Sequence, residues 1–278
     1  MKKIIIITII LTTIILLLGV RKIIKENISV REVKMLSNIT KVSNVTLVTI
    51  YDNYQSNPDL QTGWGFGCVV RLKDKTILFD TGADSETLLS NMEKLKIKPE
   101  EIDIVVLSHI HWDHVGGLAG FLEKNSNVTV YAPVSFPKSF KEEINQTGAS
   151  VVEVGKEIEI EKGIFSTGEL GTWIKEQSLV INSEKGLVII TGCSHPGIVK
   201  IVKRAKEITG KEVYLVIGGF HLSGARDSEL KRIINDFRGL EVKKVAPCHC
   251  SGDRTRQLFS EEYKTNYIEN GVGKIIQI

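Results

Sequence analysis

The sequence has almost no excess of either charge: 36 lysines and arginines stand against 33 aspartates and glutamates in 278 residues, a formal balance of +3. A field that weak does not call for a polyanion, so no nucleic-acid partner is expected. Cysteine is sparse, with four at positions 68, 193, 248 and 250. A single residue separates Cys248 from Cys250, and at that spacing the side chains diverge, which disfavours a mutual bridge. No disulfide framework is expected, and this cysteine usage assigns neither a reducing nor an oxidising compartment. Beyond the N-terminal segment there is no low-complexity stretch and no repeat at a period of roughly 20 to 50 residues. The length suits one large domain with a short appendage.

What is present begins with an apolar run. Residues 4–20 carry no charge and are interrupted only by Thr8, Thr12, Thr13 and Gly19. As a helix this run spans roughly 25 Å, at the short end for a bilayer. It ends in Leu18-Gly19-Val20-Arg21-Lys22, without a small-x-small cleavage site. An N-terminal hydrophobic helix over residues 1–22, acting as an uncleaved membrane anchor, is therefore expected; the alternative is a signal sequence whose removal gives a secreted protein. The flanking basic residues do not decide orientation, and a short cytoplasmic tail favours an extracytoplasmic catalytic domain. Residues 23–43 are mixed and charged and are read as a linker, leaving residues 44–278 as the globular domain.

That domain opens with β patterns at residues 45–51, 67–72 and 76–79, the last two joined by the turn Lys73-Asp74-Lys75. A helix over 85–95 carries Leu88, Leu89, Met92 and Leu95 on one face, and the apolar run 104–107 reads as a buried strand. Mixed α and β patterns continue: strands near 128–131, 151–154, 178–182, 187–190, 213–217 and 242–246, and helices near 138–146, 197–208 and 228–237.

Directly after the strand 104–107 comes Ser108-His109-Ile110-His111-Trp112-Asp113-His114. Neutral imidazoles and a carboxylate are ligands for zinc, manganese or iron. In an extended segment alternate residues can point at one ion, while a following turn aims the next pair at another. A lone histidine is usually a surface or packing residue; four such groups within six residues read as a metal site. The other three histidines repeat the placement: His195 in Thr191-Gly192-Cys193-Ser194-His195, His221 in Gly218-Gly219-Phe220-His221, and His249 in Pro247-Cys248-His249-Cys250. All six therefore lie just beyond predicted strands, at the sheet rim where α/β proteins assemble sites.

With Phe79-Asp80-Thr81-Gly82 upstream, these motifs resemble the metallo-β-lactamase superfamily over roughly residues 45–278. The later strings are similar to its 7,8-dihydropterin-6-methyl-4-(β-D-ribofuranosyl)aminobenzene-5′-phosphate synthase-like branch. The resemblance implies an αββα four-layer sandwich and two divalent metal ions, zinc first, with manganese or iron as alternatives. It implies His109, His111 and His195 at one ion, Asp113, His114 and His249 at the second, and Asp80 buttressing the metal loop. Many members place a metal-bridging aspartate where this chain has Gly192-Cys193; here either Cys193 ligates as a thiolate or the bridge is water or hydroxide alone. His221, left over from these ligands, is read as a proton donor to the leaving group, with direct ligation or a structural role as the other readings. His221 and Asp113 are thus the expected catalytic residues, Asp113 doubling as ligand. Trp112 either walls the substrate groove or packs beside the metals. Trp64 and Phe66, in a glycine-rich turn, either form a flap or anchor packing.

The expected activity is hydrolysis by a metal-bound hydroxide of an ester-type bond, phosphoester or lactone, in a small molecule. The alternatives are a dihydropterin-related phosphate synthase or transfer activity, di-iron redox chemistry, and a non-catalytic metal-binding sensor module.

Overall fold

Strands buried on both faces read as unbroken apolar runs rather than as apolar-polar alternation, and that is the pattern here. The computed structural model describes residues 39–278. In it β1 (Thr46–Asp52), β2 (Phe66–Arg71), β3 (Thr76–Phe79), β4 (Ile104–Val106), β5 (Thr129–Pro133), β6 (Ser150–Val154) and the distant β13 (Ile275–Gln277) form a seven-stranded sheet, ordered β13-β1-β2-β3-β4-β5-β6. A six-stranded sheet holds β7 (Ile158–Glu161), β8 (Ile164–Ser166), β9 (Leu179–Ser183), β10 (Gly186–Thr191), β11 (Val213–Gly219) and β12 (Lys244–Cys248), ordered β12-β11-β10-β9-β8-β7.

Phe66, Cys68, Ile77, Phe79 and Val106 of the first sheet share one core with Leu179, Val188, Ile190, Leu215 and Ile217 of the second. Their alternate neighbours Val69, Leu78, Val105 and Leu107 belong to another core, with Leu88 and Met92 of α1 (Ser85–Lys94). After the single-turn α2 (Trp112–Val115), α3 (Leu118–Lys124) and α4 (Lys138–Gln146) add Phe121, Leu122 and Ile144 to it. On the other side lie α5 (Ile198–Thr209), α6 (Asp227–Gly239) and α7 (Asp253–Tyr263), where the rings of Phe220, Phe237, Phe259 and Tyr263 pack at centroid separations of 5.4 to 5.9 Å. Each such ring removes enough apolar surface from water to stabilise the fold by about 2 kcal/mol. The layers run helix, sheet, sheet, helix, the αββα arrangement expected.

The β7–β8 hairpin, the single-turn α2, α7 and β13 were not expected. Phe66 also departs from the flap reading, because it is a fully buried residue of β2 that packs edge-on against Phe79. The membrane expectation is corrected too. The proposed anchor at residues 1–22 lies outside the described residues, and among the described residues no helix is long and apolar enough to cross a membrane. The membrane-anchored, extracytoplasmic reading therefore has no structural support and is not carried further.

Candidate metal centre

β3 and β4 run parallel, and so do β10, β11 and β12, so their carboxyl ends deliver the motif residues to the rims of the two sheets. Asp80 follows β3, His109 follows β4, Cys193 and His195 follow β10, His221 follows β11 and His249 follows β12. Asp80, Ser194, His221 and His249 hold φ between 50° and 67°, a left-handed backbone that costs a non-glycine residue of order 1 kcal/mol. Such turns persist only where surrounding contacts over-determine them.

Those contacts fix the imidazoles. The Asp80 carboxylate accepts from the Ser108 amide (2.7 Å) and the Ser108 hydroxyl (2.7 Å), and it lies 2.7 Å from Nδ1 of His114. Ser108 Oγ, having donated its proton, faces His109 Nδ1 at 2.9 Å, and Asn53 Oδ1 faces His249 Nδ1 at 3.0 Å. With acceptors at each Nδ1, the network assigns the proton there and leaves each Nε2 lone pair free. Gly192 makes room for this: a Cβ there would sit 2.2 Å from Ser108 Oγ and 2.9 Å from an Asp80 oxygen.

The free nitrogens converge. Ligand atoms of Asp113, His114, Cys193 and His249 lie within 4.8 Å of one another, and so do those of His109, Cys193 and His195. The His111 ring is 4.7 Å from that of His109 and 4.8 Å from that of His195. Six of the predicted residues, His109, His111, Asp113, His114, His195 and His249, are thus brought to one place. His221 joins at its edge, exposed, with its ring 4.3 Å from that of His195.

Electrostatics suit cations. Burial, reinforced by the neighbouring imidazoles, drives His109 well below its ordinary value and His195 down to about 3, so both are neutral and keep their lone pairs. Burial works against the Asp113 carboxylate, yet the imidazoles of His249 and His114 beside it hold it at about 2. Nε2 of both His109 and His195 is buried without any hydrogen-bond partner. An orphaned buried imidazole nitrogen is costly, and an electron-pair acceptor satisfies it. The residues present therefore fit bound divalent ions.

Two contributors carry no sequence signal. Glu176 is buried, and its carboxylate accepts from the amides of Cys193 (3.0 Å), Ser194 (2.8 Å) and His195 (2.8 Å) and from Thr191 Oγ1 (3.2 Å). Burial pushes this carboxyl up, against the pull of the Ser194 and His195 amides. Beside it, Gln177 donates to the carbonyls of Leu107 and Tyr131 at 2.9 and 3.0 Å, tying the second sheet to the first below the metal loop. Replacing Glu176 with alanine should lower stability by about 3 kcal/mol, because several buried donors lose a charged acceptor together. The measurement is a denaturant midpoint at unchanged slope; a wild-type midpoint would mean that the turn stands without it.

The aromatic residues divide. Trp64 leans on His249 with centroids 5.1 Å apart and stays 51% exposed, and Trp112 is 62% exposed on the metal loop rather than packed beneath it.

The chain belongs to the Metallo-beta-lactamase superfamily, whose sequence profile matches residues 68–204. It is 34% identical to the 7,8-dihydropterin-6-methyl-4-(beta-D-ribofuranosyl)-aminobenzene-5'-phosphate synthase of Methanocaldococcus jannaschii, over 87% of this chain and 100% of that protein. Among solved structures, Tm1679, a metal-dependent hydrolase of the beta-lactamase superfamily, superposes with a TM-score of 0.68 at 27% identity, covering 84% of this chain and 99% of its own. The short form of human tRNase Z shares the fold, with a TM-score of 0.59 at 14% identity over 83% of this chain and 98% of its own. The family read from the motifs, and the branch to which the later strings were likened, agree with these relatives.

Proposed function

We propose that the protein is a metal-dependent hydrolase acting on an ester-type bond, phosphoester or lactone, of a small molecule, with two divalent ions, zinc first. In this reading His109, His111 and His195 hold one ion and Asp113, His114 and His249 the other. The observation that carries it is the pair of buried, partnerless Nε2 atoms of His109 and His195, the feature expected of metal ligands. Bound there, such ions supply Lewis acidity and bring the pKa of coordinated water toward about 7.

The chain's own residues do the rest. Asp80, Ser108 and Asn53 hold the imidazole rings against rotation, and Glu176 holds the turn that carries Cys193 and His195. His221, exposed beside His195 and next to the Cys250 sulfur, is placed to give a proton to a leaving-group oxygen. It borders a cavity of about 540 Å³ that runs between α5 and α6 and is lined by Lys200, Lys203 and Arg232 against Glu229 and Asp236. Arg232 pairs with Asp236, so Lys200 and Lys203 remain to attract a phosphate or carboxylate on the substrate. The exposed faces of Trp64 and Trp112 offer a flat apolar group something to lie against.

A second reading, phosphate synthase or transfer chemistry on a dihydropterin-type substrate, is favoured by the name of the relative at 34% identity. The test is elemental analysis of the purified protein together with chromogenic phosphomonoester, phosphodiester, lactone and β-lactam substrates. The expected result is turnover of one ester class, abolished by a chelator and restored by zinc. Bound metal with no hydrolysis in any class would overturn the hydrolase reading.

A further inference from the structure

Cys193 occupies a position that the two expected ligand trios do not use. Its Sγ lies 3.2 Å from Nε2 of His114 and 3.4 Å from Nε2 of His249. It is also within 4.8 Å of ligand atoms of both His109 and His195. Three clusters of candidate ligands stand among the described residues, the third being Cys193 with His221 and Cys250; Cys193 is the one side chain common to all, and no carboxylate joins the first two. Resting on the metal reading above, we propose that the Cys193 sulfur ligates both ions as a bridging thiolate.

Three observations beyond proximity support this. The sulfur sits among nitrogens whose protons are directed elsewhere, to Asp80 and Asn53, so His114 and His249 aim lone pairs at the same space as the sulfur. With its proton in place the thiol can donate to only one of these two nitrogens, whereas a cation beside the thiolate accepts the lone pair of each. Second, Glu176 accepts from the Cys193 amide and both following amides, which pins this turn more firmly than a small packing residue needs. Third, the neighbouring thiol does not reach the other candidate ligands: Cys250 Sγ faces the Cys193 carbonyl at 3.6 Å and groups with Cys193 and His221 rather than with His109, His114 or His249. Gly219 keeps that neighbour in place, since a Cβ there would meet Cys250 Sγ at 2.7 Å.

Ligation balances simply: the Cys193 S–H bond breaks, its proton leaves to solvent, and the sulfur lone pairs bind the ions. A thiolate selects borderline-soft ions, so the centre should take zinc, cobalt or iron(II) over manganese or magnesium.

The test is zinc X-ray absorption on the metal-loaded full chain and on Cys193→Ser, Cys193→Asp and Cys250→Ser variants. A zinc–sulfur shell at about 2.3 Å is expected in the wild type and in Cys250→Ser. It should be absent from both Cys193 variants, with Cys193→Ser binding zinc at least roughly 10-fold more weakly and Cys193→Asp tolerating manganese better. Should the Cys193 variants not fold, the wild type and Cys250→Ser still decide. Cys68 lies in the core between the sheets and Cys248 Sγ accepts from Asn270, so neither would supply the shell. Zinc bound without sulfur in the wild type overturns the thiolate and leaves the metal centre standing. Loss of the shell in Cys250→Ser alone assigns it to Cys250 and also overturns the proposal. A chain that binds no zinc overturns both readings.

Discussion

Replacing His111 with alanine should remove about one metal ion per chain, replacing Asp113 should remove the other, and the double variant should purify nearly free of metal. The two residues are neighbours in sequence but serve different clusters. His111 packs against the rings of His109 and His195, whereas Asp113 lies 3.7 Å from His114 Nε2 and 3.4 Å from His249 Nε2. Each substitution removes one of few ligands from its ion, and no other side chain on the loop can move in to replace it. His111 is half-buried next to exposed Trp112, so the fold should survive its loss. Elemental analysis reads the stoichiometry and circular dichroism the fold. Unchanged metal content in both single variants would remove the basis for the centre altogether.

A His221→Ala variant should keep wild-type metal content while its turnover falls roughly 10²- to 10⁴-fold, the range for a positioned general acid. The geometry separates His221 from the ligands: its ring touches that of His195, but its ligand atom groups with Cys193 and Cys250 rather than with the other histidines. The Cys250 sulfur beside it, working against burial, raises its pKa above the ordinary value, so the protonated form persists to higher pH. The deficit should shrink for substrates whose leaving group departs without a proton. A fall in metal content with activity would make His221 a ligand, and His195 would then have to give up its place.

His111 and His114 were legible through their crowding beside His109, and His109, His195, His221 and His249 because each follows a short apolar run that stops abruptly, as a buried strand does. Asp80 was legible for the same reason, through Phe79. Glu176 was not, since its four contacts reach across 15 to 19 residues to a turn whose sequence has no periodic relation to it. Asn53 is further still, 196 residues from the His249 ring it holds. α7 escaped notice because its buried face is only Thr255, Leu258, Phe259 and Tyr263, amid charges, and β13 because three residues carry no pattern. The apolar run at 4–20 was the clearest composition signal in the chain, yet it lies outside the residues described.

The pairing of β1 with β13, Thr46 facing Gln277 and Val48 facing Ile275, bears on how the molecule can be assembled. The first sheet takes its outermost strand from beyond every strand of the second, so neither half is a module that could finish folding and wait for the other. Until that closure β1 is a bare seven-residue edge with six buried positions, a template on which another copy could dock. Contacts this remote in sequence form slowly. Division of the chain between its two sheets should therefore yield fragments that aggregate rather than fold, and which recover the metal centre only when they are refolded together.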